Sequence, residues 1–309
     1  MRRILSRSIL ALLAGGCAMG QLPRGKGLAP VRIILVGDST VAPRNGWGPG
    51  FCADVDPAVT CVNLAKNGRS TSSYRAEGSW AAVMDMLKSN AAYSATYVLI
   101  QFGHNDQPGK PGRSTDLATE FPANLRQYVV DLKSMGAKPV LVTSLTRRTF
   151  QAGHLKNDLV SWADATKKVA AEANVPILDL NSESAAAVQK MGPVEANTLA
   201  MALPPPSVAA GAAAGNSPAL PKVPEASHMA GSLANNVVEP KGDPAPLFDY
   251  THLGEKGSAL FGRMVADELI VAVPNSGHIS NRNWLPRSAG PLSECATAPP
   301  CFARFRPPG

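Results

Sequence analysis

Apolar and polar positions fall into a repeating rhythm from residue 31 onward. Short, predominantly apolar bursts occupy residues 31–36, 97–102 and 139–143, with Arg32 and Gln101 as polar members, and weaker ones lie at 60–65 and 175–180. None alternates strictly, and runs of this kind suit strands buried on both faces. Between them lie longer stretches with helical periodicity at 79–90, 117–135 and 154–173, and another at 256–271. Gly136 stands where a helix C-terminal glycine is expected. Strand and helix alternating at this spacing predict an α/β fold, a three-layer α/β/α sandwich around a central parallel sheet of about five strands.

Three segments depart from the rhythm. Residues 192–246 are rich in Ala and Pro, include Pro204-Pro205-Pro206, and have no aromatic residue. They read as a flexible or irregular insert within a domain spanning 28–274. Residues 275–309 read as a C-terminal tail wrapped on the surface. Residues 1–20 read as a signal peptide, with Arg2 and Arg3 ahead of a short apolar run and then small residues to Gly20. Export to the periplasm or beyond is therefore expected. Leu13 stands one place too early for a lipoprotein signal at Cys17, so lipid attachment there is disfavoured. The other cysteines fall into two local pairs, Cys52 with Cys61 and Cys295 with Cys301. Local disulfides are the simplest of the three possible pairings.

Charge narrows the partners. The 309 residues carry a formal net charge of +7, three of the positive charges being Arg2, Arg3 and Arg7. The mildly basic remainder suits an anionic polymer. There is no basic run with interleaved aromatics, so nucleic acid is not an expected partner. No apolar segment is long enough to span a membrane. A monomer is expected.

In an open parallel sheet, function sits at the carboxyl ends of the strands. The residues that follow the strands are Gly37-Asp38-Ser39-Thr40, Asn67-Gly68-Arg69-Ser70, Gly103-His104-Asn105-Asp106 and Ser144-Leu145-Thr146-Arg147-Arg148. Asp249-Tyr250-Thr251-His252 precedes the last helix. A serine hydroxyl needs a base to become a nucleophile, and histidine titrates in the right range. A third group must then fix the imidazole tautomer. Ser39, His252 and Asp249 supply these roles, Asp249 lying three residues before His252. Ser39 is expected at a helix start, where N–H groups face developing negative charge. The N–H groups of Ser39 and Gly68 and the Asn105 side-chain amide are candidate oxyanion donors. No zinc-ligand spacing and no dinucleotide or phosphate-binding fingerprint occurs, so no metal or cofactor is expected.

Taken together and in order, Gly37-Asp38-Ser39, Gly68, Gly103-His104-Asn105-Asp106 and Asp249-x-x-His252 resemble the four blocks of the SGNH (GDSL) hydrolases. Ala65-Lys66-Asn67-Gly68-Arg69-Ser70, Phe102-Gly103-His104-Asn105-Asp106 and Arg147-Arg148-x-Phe150 are most similar to the rhamnogalacturonan acetylesterase-like branch. The resemblance covers about residues 31–180 and 247–272. It implies a flavodoxin-like fold and metal-free removal of O-acetyl groups from an acetylated polysaccharide or oligosaccharide such as rhamnogalacturonan. It further implies Ser39, Asp249 and His252 as the triad, with Ser39, Gly68 and Asn105 in the oxyanion hole.

Each block alone has a plainer explanation as a turn or a cap. Arg69, His104, Arg147 and Arg148 are candidate substrate contacts, and each is equally a candidate internal partner. Asp106 either pairs with Arg69 or caps the following turn, and is equally a candidate substrate contact. Trp47 is expected to pack, and His154, His228 and His278 to lie on the surface. Rival functions are an SGNH lipase, lysophospholipase or thioesterase, a metallophosphoesterase using Asp38, His104, Asp106, Asp249 and His252, and a non-catalytic carbohydrate-binding protein.

Overall fold

A computed structural model describes residues 30–220 and 247–273 of the chain. In chain order the strands are β1 (Val31–Gly37), β2 (Thr60–Asn63), β3 (Ala95–Gln101), β4 (Lys138–Val142), β5 (Phe150–Gln151), β6 (His154–Leu155) and β7 (Ile177–Leu178). The α-helices are α1 (Gly48–Asp54), α2 (Ser73–Ala76), α3 (Ser79–Leu87), α4 (Glu120–Ser134), α5 (Val160–Ala173), α6 (Leu180–Asn197), α7 (Pro206–Ala213) and α8 (Glu255–Ala272). Five strands form one parallel sheet in the order β2-β1-β3-β4-β7, and β5 and β6 make a small antiparallel hairpin.

The apolar bursts explain the layering. Successive strand residues point to opposite faces, so a continuous run feeds two cores. Ile33 and Leu35, with Leu99, Val140 and Val142, pack against Phe51 of α1, Val188 of α6 and Phe261 and Val265 of α8. Ile34 and Val36, with Val98, Ile100 and Leu141, pack against Val83 of α3, Leu125 and Tyr128 of α4 and Trp162 and Val169 of α5. The three-layer expectation is met. After β2 the chain returns to the other side of β1, which makes the carboxyl ends of β1 and β3 the switch point of the sheet.

Three expectations need correction. The helix expected from 154 starts at Val160, because His154 and Leu155 pair with β5 and the Asn157 side chain accepts from the Leu159 N–H. Ser39 does not open a helix. It sits in a single turn closed by Val41 and Ala42 N–H on the Asp38 carbonyl, and α1 begins only at Gly48. The described part of the 192–246 insert is not irregular throughout. Gly192 (φ 71°, ψ 172°) breaks α6, and Pro193 lies at the restart of the helix. Pro206 occupies the first turn of α7, where a missing N–H costs nothing. Val208 of α7 then packs on Phe248 and Tyr250. Among the described residues no helix is long and apolar enough to cross a membrane.

Candidate active site

Four loops meet at the switch point, and hydrogen bonds lace them together. Lys66 N–H donates to the Gly37 carbonyl at 3.0 Å, tying the second loop to the first. Asn105 Nδ2 donates to the Arg69 carbonyl at 3.0 Å, tying the third to the second. Leu253 N–H donates to the Asn45 carbonyl at 2.8 Å, tying the His252 segment to the Ser39 loop.

Ser39 is buried but for 7 % of its surface. Its turn is fixed from below by a fully buried chain of side chains. Trp47 Nε1 donates to Gln101 Oε1 at 2.8 Å, and Gln101 Nε2 donates to Thr40 Oγ1 at 2.5 Å. Thr40 donates to Asp38 Oδ1 through its hydroxyl at 2.7 Å and its N–H at 2.8 Å. Trp47 therefore packs, as expected. Neither the Ser39 N–H nor the Gly68 N–H donates to another group among the described residues. Gly68 has φ +74°, a conformation that glycine adopts without strain.

His252 Nδ1 lies 2.6 Å from Asp249 Oδ2. Asp249 Oδ1 accepts the N–H groups of Thr251 and His252 at 2.7 and 2.6 Å. Burial opposes ionisation of Asp249, but the His252 contact and these two N–H donors prevail and hold its pKa down at about 2. The carboxylate is thus a fixed acceptor for an Nδ1 proton, which leaves Nε2 of the imidazole as its basic nitrogen. No hydrogen bond joins Ser39 Oγ to His252 in this structure.

Arg148 is not at a surface. It is completely buried, and its guanidinium donates to the carbonyls of Asp249 (2.8 Å), Thr251 (3.2 Å) and His252 (2.8 Å). Its own N–H donates to the Tyr250 carbonyl at 2.8 Å. Every carbonyl of residues 249–252 is therefore held by this one residue, and no face of it remains for a sugar. Burial pushes its pKa down to about 10. Arg147 pairs with Asp158 and with Gln107 Oε1 at 2.9 Å, and Arg69 with Glu77 at 2.7 Å.

His104 is also buried, with Nδ1 3.5 Å from Asp38 Oδ2. Burial drives its pKa down, favouring neutral imidazole. Asp38 titrates below its ordinary value because His104 and Thr40 outweigh its burial. Asp106 does not meet Arg69. Its Oδ1 accepts from Thr71 N–H and Oγ1 and from Thr115 Oγ1, and its Oδ2 from the Gly103 N–H. Burial nonetheless raises its pKa to about 6. These acids are spent on the protein's own groups. Among the described residues no three His, Cys, Asp or Glu side chains converge as a metal site requires. Cys52 and Cys61 form a disulfide. Cys295 and Cys301 lie outside the described residues, as do Cys17, residues 1–20, His228 and His278.

The sequence model of the GDSL-like Lipase/Acylhydrolase family matches residues 35–197, just over half of the chain. This chain belongs to that family. It is an ester hydrolase, and its relatives carry narrower names. The rhamnogalacturonan acetylesterase RhgT of Bacillus subtilis is 36 % identical over 178 residues, which span 55 % of this chain and 73 % of that protein. A probable rhamnogalacturonan acetylesterase of the same organism, YesY, is 32 % identical over 167 residues, 52 % of this chain and 75 % of that one. A solved Bacillus subtilis structure, the protein YxiM, superposes with a TM-score of 0.54 at 21 % identity over 81 % of this chain. This chain spans 58 % of that one, and the likeness concerns fold alone.

For a GDSL-like hydrolase the residues missed by sequence reasoning are supporting ones. Gln101 and Thr40 carry the Ser39 turn, and Arg113 donates to the Gly68 carbonyl at 3.3 Å. Gln101 ends an apolar strand, and a buried amide at that position is a readable signal for a polar network.

Proposed function

We propose that this chain is a carbohydrate esterase that removes O-acetyl groups from an acetylated polysaccharide of the rhamnogalacturonan type. The observation that carries the reading is the His252–Asp249 pair, locked by Arg148 and tied to a Ser39 turn whose N–H, like that of Gly68, is unspent. In this mechanism His252 Nε2 takes the Ser39 proton as Oγ attacks the acetyl carbonyl carbon. The Ser39 and Gly68 N–H groups and the second Asn105 amide proton stabilise the oxyanion. Collapse of the tetrahedral intermediate breaks the ester C–O bond, and His252 returns the proton to the departing sugar oxygen. Water, deprotonated by His252, then releases acetate and restores the Ser39 hydroxyl. Asp249 fixes the tautomer throughout.

The relatives' names support an acetylated pectic substrate, and the mildly basic composition agrees with a polymer that carries acid groups. Export belongs to the same reading, supported by the signal-like residues 1–20 and by a disulfide that suits an oxidising compartment. The deciding experiment is acetate release from acetylated rhamnogalacturonan by wild type and by Ser39→Ala. Wild type is expected to release acetate, and the variant, folded by circular dichroism, to lose about 10³-fold or more in kcat. A Ser39→Ala protein that keeps its rate would overturn the mechanism. Release from acetylated xylan alone would keep the mechanism and overturn the substrate.

A further inference from the structure

The loop after Asn105 repeats one turn design. Pro108-Gly109-Lys110 and Pro111-Gly112-Arg113 each place a proline, then a glycine at positive φ (82° and 69°), then a cation. Proline presets its own φ and glycine takes the left-handed position, so two such turns in succession make a stiff loop. Internal bonds stiffen it further. The N–H groups of Arg113 and Ser114 donate to the Lys110 carbonyl at 3.0 and 2.9 Å. Ser114 Oγ accepts from the Lys110 N–H and donates to the Gln107 carbonyl, both at 2.9 Å. One end is fastened beside Asn105, where Thr115 N–H donates to the Asp106 carbonyl at 2.9 Å. The other end reaches Gly68, whose carbonyl accepts from Arg113 Nη1 at 3.3 Å. The loop therefore runs from Asn105 to Gly68, two of the expected oxyanion donors, with Arg113 on the Gly68 carbonyl and Lys110 electrostatically coupled to Arg113, Arg147 and Asp38.

Neither cation pairs with an acid among the described residues. Both are half-buried. Among the described residues the Lys110 ammonium has no hydrogen-bond or ion-pair partner, and the Arg113 guanidinium donates to a neutral carbonyl. The neighbouring arginines differ, since Arg69 and Arg147 each hold a carboxylate. Lys110 titrates below its ordinary value, first through burial and then through Arg147 and Arg113. Asp38 and Asp158 pull the other way. Asp38, however, is engaged by Thr40 and faces His104, and Asp158 is engaged by Arg147 and Gln107. Like charges held together with restricted hydration are relieved by an anion placed between them. A guanidinium and an ammonium are the donors that suit a carboxylate.

We infer that Lys110 and Arg113 form a carboxylate-binding subsite that takes a uronate residue of the substrate chain while its acetyl group lies at Ser39. The inference rests on the esterase reading and deepens it, because it says how a charged polysaccharide is told from a neutral one. Acetyl itself is neutral, so this discrimination falls to the sugar side.

The test compares wild type, Lys110→Gln, Arg113→Gln, the double variant and Lys110→Arg. Each is assayed on p-nitrophenyl acetate, on an acetylated xylo-oligosaccharide and on an acetylated oligosaccharide containing galacturonate. The double variant is expected to lose about tenfold more kcat/KM on the galacturonate substrate than on the other two, with the loss in KM. Lys110→Arg should retain most of the preference, and added salt should raise KM for the charged substrate in wild type but not in the double variant. Equal losses on all three substrates, or no loss on any, would overturn the subsite. A wild type that hydrolyses none of them would sink the esterase reading instead. Calorimetry with digalacturonate then tests the subsite alone: binding that the double variant loses supports it, and binding absent from wild type or retained by the double variant overturns it.

Discussion

Arg148 shows how much one side chain can fix. Its guanidinium lies fully buried with three carbonyl acceptors and, among the described residues, no ion-pair partner at its nitrogens. Burying a charge is costly unless hydrogen bonds compensate, so the loop of residues 249–252 and the guanidinium depend on each other. Replacing Arg148 by Met leaves those carbonyls without their donor, and the His252–Asp249 pair loses its anchor. Arg148→Met should lower kcat about 10²-fold with a smaller change in KM, and lower Tm by several degrees. Arg148→Lys, which supplies fewer and differently placed donors, should fall between. Assays well below each variant's Tm separate positioning from unfolding, and a folded Arg148→Met with wild-type kcat would refute the positioning role. The sequence shows Arg147-Arg148 as a matched pair of cations. Only the fold shows that one is sealed under the His252 loop and the other faces Asp158, because their acceptors arrive from distant segments. The pairing of Asp249 with His252, by contrast, was legible, since three residues of spacing suffice to bring them together.

Elements were legible where a single pattern ran unbroken. The apolar bursts at 31–36, 97–102 and 139–143 became β1, β3 and β4 within a few residues, since a strand buried on both faces is mostly apolar and its few polar residues, Arg32 and Gln101 here, find hydrogen-bond partners. α6 was hidden because it starts at Leu180, directly after β7, and its periodicity is broken at Gly192-Pro193, where the chain kinks and resumes. Its packing on α8 brings two acids together. Burial and the Glu183 carboxylate push Glu268 up to about 8. A raised carboxyl pKa means that the fold holds the proton more tightly than the unfolded chain does. The associated stability is present below about 4.5 and is lost as pH rises towards about 8. Glu268→Gln, neutral at every pH, should leave Tm unchanged at acid pH and raise it by ~2–4 °C at alkaline pH. Thermal scans across that range check the sign. An identical Tm for both proteins at the alkaline end would remove the repulsion from the account.

At the scale of the whole molecule, the fold class followed from the alternation of strands and helices, but the convergence of the loops did not. That depends on strand order, and nothing local in the sequence states which strand β1 sits beside. The helical layer over one face depends on a close approach that the sequence marks only as glycine. A side chain at Gly262 of α8 would collide with the main chain of α1 at Phe51, and one at Gly50 with the main chain of α8 at Ser258. The sheet is complete by Leu178, yet His252 and Asp249 arrive only with the segment leading into α8. On the proposed mechanism, catalytic competence is therefore separable in time from acquisition of the sheet. Pairings of such long sequence separation close late in folding. During refolding from denaturant, far-ultraviolet ellipticity should recover before esterase activity, and superimposable time courses would argue against this order. On the proposed mechanism, a chain still being synthesised could hold a finished sheet and a placed serine while remaining chemically inert, and hydrolysis would begin only once the segment carrying His252 docks with α8.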